Sequence, residues 1–122
     1  MDASGLGNPV VMGAPNVVRG GSHTGAASAT DMIARGMCTV LASDYYYPAP
    51  LPDALKLHRK LGFGLGDAWS LVSRAPALAA GLDDRGEISP GRRADLIVVD
   101  RSACGMPHVA ATLVAGRQVY RA

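Results

Sequence analysis

Gly86-Glu87-Ile88-Ser89-Pro90-Gly91-Arg92-Arg93-Ala94-Asp95-Leu96-Ile97-Val98-Val99-Asp100 reads as a strand, a Pro-Gly turn and a second strand. Ile88 lies in the first strand; the second runs apolar from Leu96 to Val99 before closing on a carboxylate. Further along, Val109 to Val114 and Gln118 to Tyr120 pair across Ala115-Gly116-Arg117, which has the composition of a tight hairpin. From Gly86 onward the chain is therefore a small antiparallel β segment.

Upstream the texture differs. The first twenty-five residues hold six Gly and two Pro, which disfavours a free-standing helix. Val10-Val11-Met12 is a short apolar run that stops at Gly13-Ala14-Pro15-Asn16, as a buried strand entering a turn would. Ser28 or Thr30 can cap a short helix through Asp31 to Arg35, with Gly36 as its stop. Met37-Cys38-Thr39-Val40-Leu41-Ala42 is apolar apart from one Thr, the pattern of a strand covered on both faces. It ends at Ser43-Asp44, and Tyr45-Tyr46-Tyr47-Pro48-Ala49-Pro50 forms a loop. Pro52 suits a first helical position, with Leu55, Leu57, His58 and Leu61 following and Gly62 closing the helix. Asp67 caps a second helix and Pro76 starts a third, stopped by Gly81.

Parallel-type strands alternating with helices, followed by a small antiparallel sheet, make the chain α/β. The order is that of the end of a (β/α)8 barrel joined to a small β-domain, with residues 1–83 as the C-terminal portion of the barrel and 84–122 as β-strands of a small β-sandwich domain. One or two parallel strands cannot close a barrel of eight, so the expectation is a C-terminal barrel fragment. The Cys38–Ala42 strand would then lack neighbours and leave surface prone to self-association.

Composition narrows the function. Net charge is +2, and the ten Arg and two Lys are scattered, which gives nucleic acid no electrostatic footprint. Arg92-Arg93 beside the turn reads as a solvated corner. Cys38 opens an apolar run as a buried thiol would, and its pairing with Cys104 is one of count only. No apolar run approaches the ~18 residues of a membrane span, and no signal-peptide pattern is present, so the expectation is a soluble cytoplasmic protein without membrane partners.

Chemistry concentrates at two places. Asp44 follows a buried strand, on the face where barrel active sites form; there it could hold a divalent metal and take a proton from water. The alternative is that it caps the turn that follows. Arg19-Gly20-Gly21-Ser22-His23 combines a guanidinium, unhindered backbone N–H groups, a hydroxyl and an imidazole, a set suited to phosphate. The alternative there is a surface loop, and His23 as a metal ligand is a weaker expectation than Asp44. Tyr45 and Tyr47 alternate with Tyr46 along the loop and would wall a substrate or pack over a helix. His58 reads as a packing residue and His108 as surface. No pair of histidines has ligand spacing, so local motifs do not assemble a metal site.

Met12-Gly13-Ala14-Pro15-Asn16-Val17-Val18-Arg19-Gly20-Gly21-Ser22-His23-Thr24-Gly25, Leu41-Ala42-Ser43-Asp44-Tyr45-Tyr46-Tyr47-Pro48 and Gly86–Asp100 together resemble one family, the phosphonate-metabolism diphosphatases (the PhnM family) of the amidohydrolase superfamily. The last block alone is shared by deaminases and dihydroorotases; the first two are more specific. The resemblance implies a metal-dependent hydrolase acting on a ribose 5-triphosphate phosphonate, with Zn, Mn or Fe in the complete enzyme and no tight metal binding by this portion. It places Asp44 as metal ligand and general base, and Arg19, Gly20, Gly21, Ser22 and His23 at the polyphosphate. The family block continues Ser-His-Ser-Gly-Asn where this chain has Ser22-His23-Thr24-Gly25-Ala26, so the Asn side chain is lost. The partners it leaves open are an N-terminal barrel portion or a second copy. Two other readings remain: another amidohydrolase, such as a deaminase or cyclic amidase, and a non-catalytic, self-associating module.

Overall fold

A computed structural model describes residues 7–15, 17, 29–100 and 106–122. Its elements are β1 (Val11–Gly13), α1 (Ala29–Ala34), β2 (Val40–Ala42), α2 (Pro50–Leu61), α3 (Leu65–Ser70), α4 (Arg74–Ala79), β3 (Leu96–Asp100), β4 (His108–Val114) and β5 (Arg117–Arg121). β1 and β2 form a parallel pair, Val11 opposite Val40 and Gly13 opposite Ala42. The other three strands form an antiparallel sheet in the order β3-β4-β5.

Two apolar runs make the parallel pair because helices cover it. Leu41 and Val40 are buried, and Leu41 packs in a cluster with Ala14, Val17, Ile33, Cys38 and Leu57. At its ends the pair is extended by Ala14 N–H donating to Ala42 O at 2.7 Å and by Thr39 N–H donating to Val10 O at 3.0 Å. The far edge of β2 is occupied as well, since Leu41 N–H donates to Leu71 O, just past α3, at 2.8 Å. The strand expected to be left uncovered is therefore covered, by α3 and the turn after it. Burial pushes the Cys38 thiol up from its ordinary pKa, although its Sγ donates to Val40 O at 3.4 Å.

Helix limits follow the backbone more closely than the single-residue signals. α2 begins at Pro50, not Pro52, because both prolines fit a first turn and Ala49 is already helical at φ −59°. Gly62 ends it in the left-handed region at φ 75°, and His58 Nδ1 sits 2.8 Å from Phe63 O, so this imidazole serves the helix end. α3 starts after Gly64 and α4 after Ser73; Asp67 and Pro76 lie inside the first turns rather than at the caps. Thr30 lies within α1, and Ser28 falls outside the described residues.

The strand expected around Ile88 does not form. Ile88 is 89% exposed, and residues 86–95 cross from α4 to β3 without joining a ladder. Gly86 fixes that crossing: its φ is +93°, and a Cβ there would lie 2.9 Å from Arg74 Cα and 3.0 Å from Ser73 O. Beside it Glu87 takes Arg74 at 3.1 Å and Arg92 at 2.9 Å. Arg92 also reaches Asp83 O, so the basic corner is an ion-paired one. Asp95 receives Arg85 at 3.3 Å and Arg93 at 3.0 Å, and accepts the Ala115 N–H at 2.8 Å. That last bond holds the β4–β5 turn, where Ala115 and Gly116 have φ 49° and 77°, the left-handed pair of a tight hairpin.

One carboxylate is out of place energetically. Asp53 in α2 is 0% exposed, and neither of its oxygens has a hydrogen-bond partner among the described residues. Burial pushes its pKa up to about 6, against a smaller downward pull from the Lys56 ammonium. Lys56 itself donates to Val17 O at 2.8 Å.

Two outcomes follow from this packing. Because the folded state holds the Asp53 proton more tightly than the unfolded chain, its contribution is full below pH ~4 and is lost as pH rises through about 6. The loss is on the order of 2–3 kcal/mol by pH 7.5. Asp53→Asn should therefore flatten the fall in the urea midpoint between pH 4.5 and 7.5. Separately, Gly86→Ala drives a methyl into backbone at a left-handed position and should cost roughly 2 kcal/mol or more in the same assay.

Candidate functional site

β1 and β2 run parallel, so their C-terminal ends lie together, and Asp44 follows that end of β2 by two residues. Asp44 is exposed and adopts φ 54°. A non-glycine residue held in the left-handed region costs on the order of 1–2 kcal/mol, and such residues gather at functional sites. The turn after it is closed by two backbone bonds, Tyr46 N–H donating to Ser43 O at 3.1 Å and Ala49 N–H donating to Tyr46 O at 3.0 Å. No hydrogen bond or ion pair occupies the Asp44 carboxylate among the described residues, so the turn-capping alternative has no bond to support it.

The carboxylate lies instead across the end of β1. Asp44 Oδ2 is 2.9 Å from the point where a Cβ on Gly13 would stand. In the sequence Gly13 marks only the start of a turn; the signal that singles it out further is a glycine closing an apolar strand that faces a second strand of the same kind.

Tyr47 is 86% exposed, and Tyr46 and Tyr47 both border one groove of about 930 Å3 with Trp69, Ile88, Leu96 and His108. That groove runs between the helices and the antiparallel sheet, and Asp44 does not line it. Arg19, Gly20, Gly21, Ser22, His23 and Cys104 lie outside the described residues. His108 is exposed, as expected.

Among the described residues no group of three or more His, Cys, Asp or Glu is placed to hold a metal ion. A catalytic zinc centre takes about three protein ligands, and Asp44 supplies one carboxylate, so the described residues alone do not complete such a site. Among the same residues no helix is long and apolar enough to cross a membrane.

The chain is 46% identical over 98 residues to the α-D-ribose 1-methylphosphonate 5-triphosphate diphosphatase of Escherichia coli K12, a match covering 78% of the chain and 26% of that protein. It is 47% identical over 49 residues to a dihydroorotase of Methanopyrus kandleri, covering 40% of the chain and 12% of the relative. The crystal structure of an amidohydrolase from Thermotoga maritima MSB8 superposes with a TM-score of 0.62 at 19% identity, over 98% of this chain and 39% of the other. The chain thus spans about a quarter of its diphosphatase relative, and its fold is amidohydrolase-like, with mixed helices and strands. The Amidohydrolase family model matches residues 19–120, and the chain belongs to that family.

Proposed function

We propose that this chain is the C-terminal portion of a diphosphatase that hydrolyses α-D-ribose 1-methylphosphonate 5-triphosphate to the 5-phosphate and pyrophosphate. The observation that carries the reading is the reach of the diphosphatase match, 98 residues at 46% identity, against 49 residues for the dihydroorotase. In it, water adds across the anhydride between the first and second phosphoryl groups, and pyrophosphate departs. Asp44 accepts the proton of that water, a role suited to an exposed carboxylate that takes no hydrogen bond among the described residues. Arg19 to His23 grip the triphosphate, and Tyr45 and Tyr47 flank the substrate.

A cyclic-amide substrate is the second reading, favoured by the dihydroorotase match. It gives the Arg19–His23 set no anion to bind. A self-associating module is a third, resting on the apolar edge of β3, where Ile97 and Val98 are exposed. A compact monomer on size exclusion would rule out the third.

The test uses protein expressed from the longest reading frame that contains these 122 residues, following pyrophosphate release from ribose 5-triphosphates and, separately, ring opening of dihydroorotate. The expected result is activity on the triphosphate alone, falling about 100- to 10,000-fold in Asp44→Asn. Turnover of the cyclic amide, or an unaffected Asp44→Asn enzyme, would overturn the reading. The 122 residues by themselves should stay at background and show no tight stoichiometric site when titrated with Mn²⁺ or Zn²⁺ in a calorimeter. A stoichiometric heat at micromolar metal would contradict the donor count.

A further inference from the structure

Gly13 closes β1 opposite Ala42 of β2. A Cβ at Gly13 would meet three atoms first, and all belong to Asp44: Oδ2 at 2.9 Å, Cβ at 3.3 Å and Cγ at 3.5 Å. Real Cβ atoms essentially never approach another heavy atom closer than about 3 Å, so a side chain at 13 and the present place of the Asp44 carboxylate exclude one another. Gly13 is not among the positive-φ glycines, so its backbone does not ask for glycine. The space does.

The geometry points to Gly13 as a positioning residue for Asp44: the missing side chain reserves a place over the end of β1, and the left-handed backbone of Asp44 lays the carboxylate into it. Two other glycines show how specific this is. Gly64 meets Asp67 Oδ2 at 2.7 Å, but within one helical turn, where local geometry suffices to bring them together. Gly86 meets backbone, which cannot give, so substitution there disturbs the fold. At Gly13 the contact joins two strands far apart in sequence, and what it meets is a short side chain that can rotate. Substitution at 13 therefore moves a charge rather than unfolding the chain. The weight of this for catalysis rests on the reading of Asp44 as the proton acceptor; the geometry stands apart from that reading.

The experiment is carbon-detected NMR on the 122-residue chain with aspartate labelled at its carboxyl carbon. The wild-type chain should show a nuclear Overhauser contact between Gly13 Hα and Asp44 Hβ. Gly13→Ala should shift the Asp44 carboxyl signal while those of Asp53, Asp67 and Asp95 stay in place and the urea midpoint is kept. In an Asp44→Gly background the same Gly13→Ala change should leave the amides of Ser43 and Tyr45 unmoved. If Gly13→Ala does unfold the chain, rescue in the Gly13→Ala/Asp44→Gly double variant upholds the proposal, and failure of rescue overturns it. An unmoved Asp44 carboxyl signal in folded Gly13→Ala, or no Overhauser contact in the wild type, overturns it too. In the protein from the longest reading frame, Gly13→Ala should lower kcat about 10- to 100-fold with KM within about twofold. Should Asp44→Asn leave pyrophosphate release intact there, the diphosphatase reading fails and the NMR result still decides Gly13.

Discussion

The edge of β2 that faces away from β1 is closed by one hydrogen bond, from Leu41 N–H to Leu71 O at 2.8 Å, and the site depends on it. β2 is three residues long, and a two-stranded sheet of that size is marginal in water by itself. Here β1 takes one edge, the carbonyl past α3 takes the other, and Leu41 is buried among Ala14, Ile33, Cys38 and Leu57. Burying a leucine fully is worth about 1.5–3 kcal/mol, comparable to the strain Asp44 carries. A strand held on both edges and one face can export a residue in an unfavourable conformation from its end. A frayed strand would relax it.

Most of the fold was legible where a run of residues speaks for itself. The apolar run into Ala42, the glycine stops at Gly36, Gly62 and Gly81, and the hairpin over Ala115-Gly116 all appear where composition placed them. What misled was the single residue taken as a boundary. Pro52 and Pro76 fit first turns that begin two residues earlier, since a proline is tolerated throughout the first turn and marks no one position in it. Ile88 looked like strand because its neighbours in sequence are, yet Gly86 and the ion pairs of Glu87 bind that stretch to α4 and leave no ladder partner. Asp44 could be singled out as a carboxylate after a buried run. Gly13 carries a weaker signal, a glycine closing an apolar strand, and Asp53 carries none, because its meaning lies in burial between segments that one sequence does not show.

Asp44 and Asp53 bracket the tyrosine loop between β2 and α2, and among the described residues neither carboxylate takes a hydrogen bond. The resemblance ends there. Asp53 is buried, so its charged form costs desolvation and the carboxyl answers by binding its proton up to about pH 6. At neutral pH, above that value, the group has lost the stabilising contribution it makes in acid, and it can reach no substrate in water. Asp44 is exposed, and its cost is conformational rather than electrostatic, so the carboxylate stays available to whatever comes to the strand end. Two strands, one glycine and a left-handed residue fix where that charge sits, whereas the depth of α2 only fixes that Asp53 is out of reach. Of the two unspent carboxylates, the strained and open one is the candidate for chemistry, and the buried one is a liability that the packing around α2 has to carry.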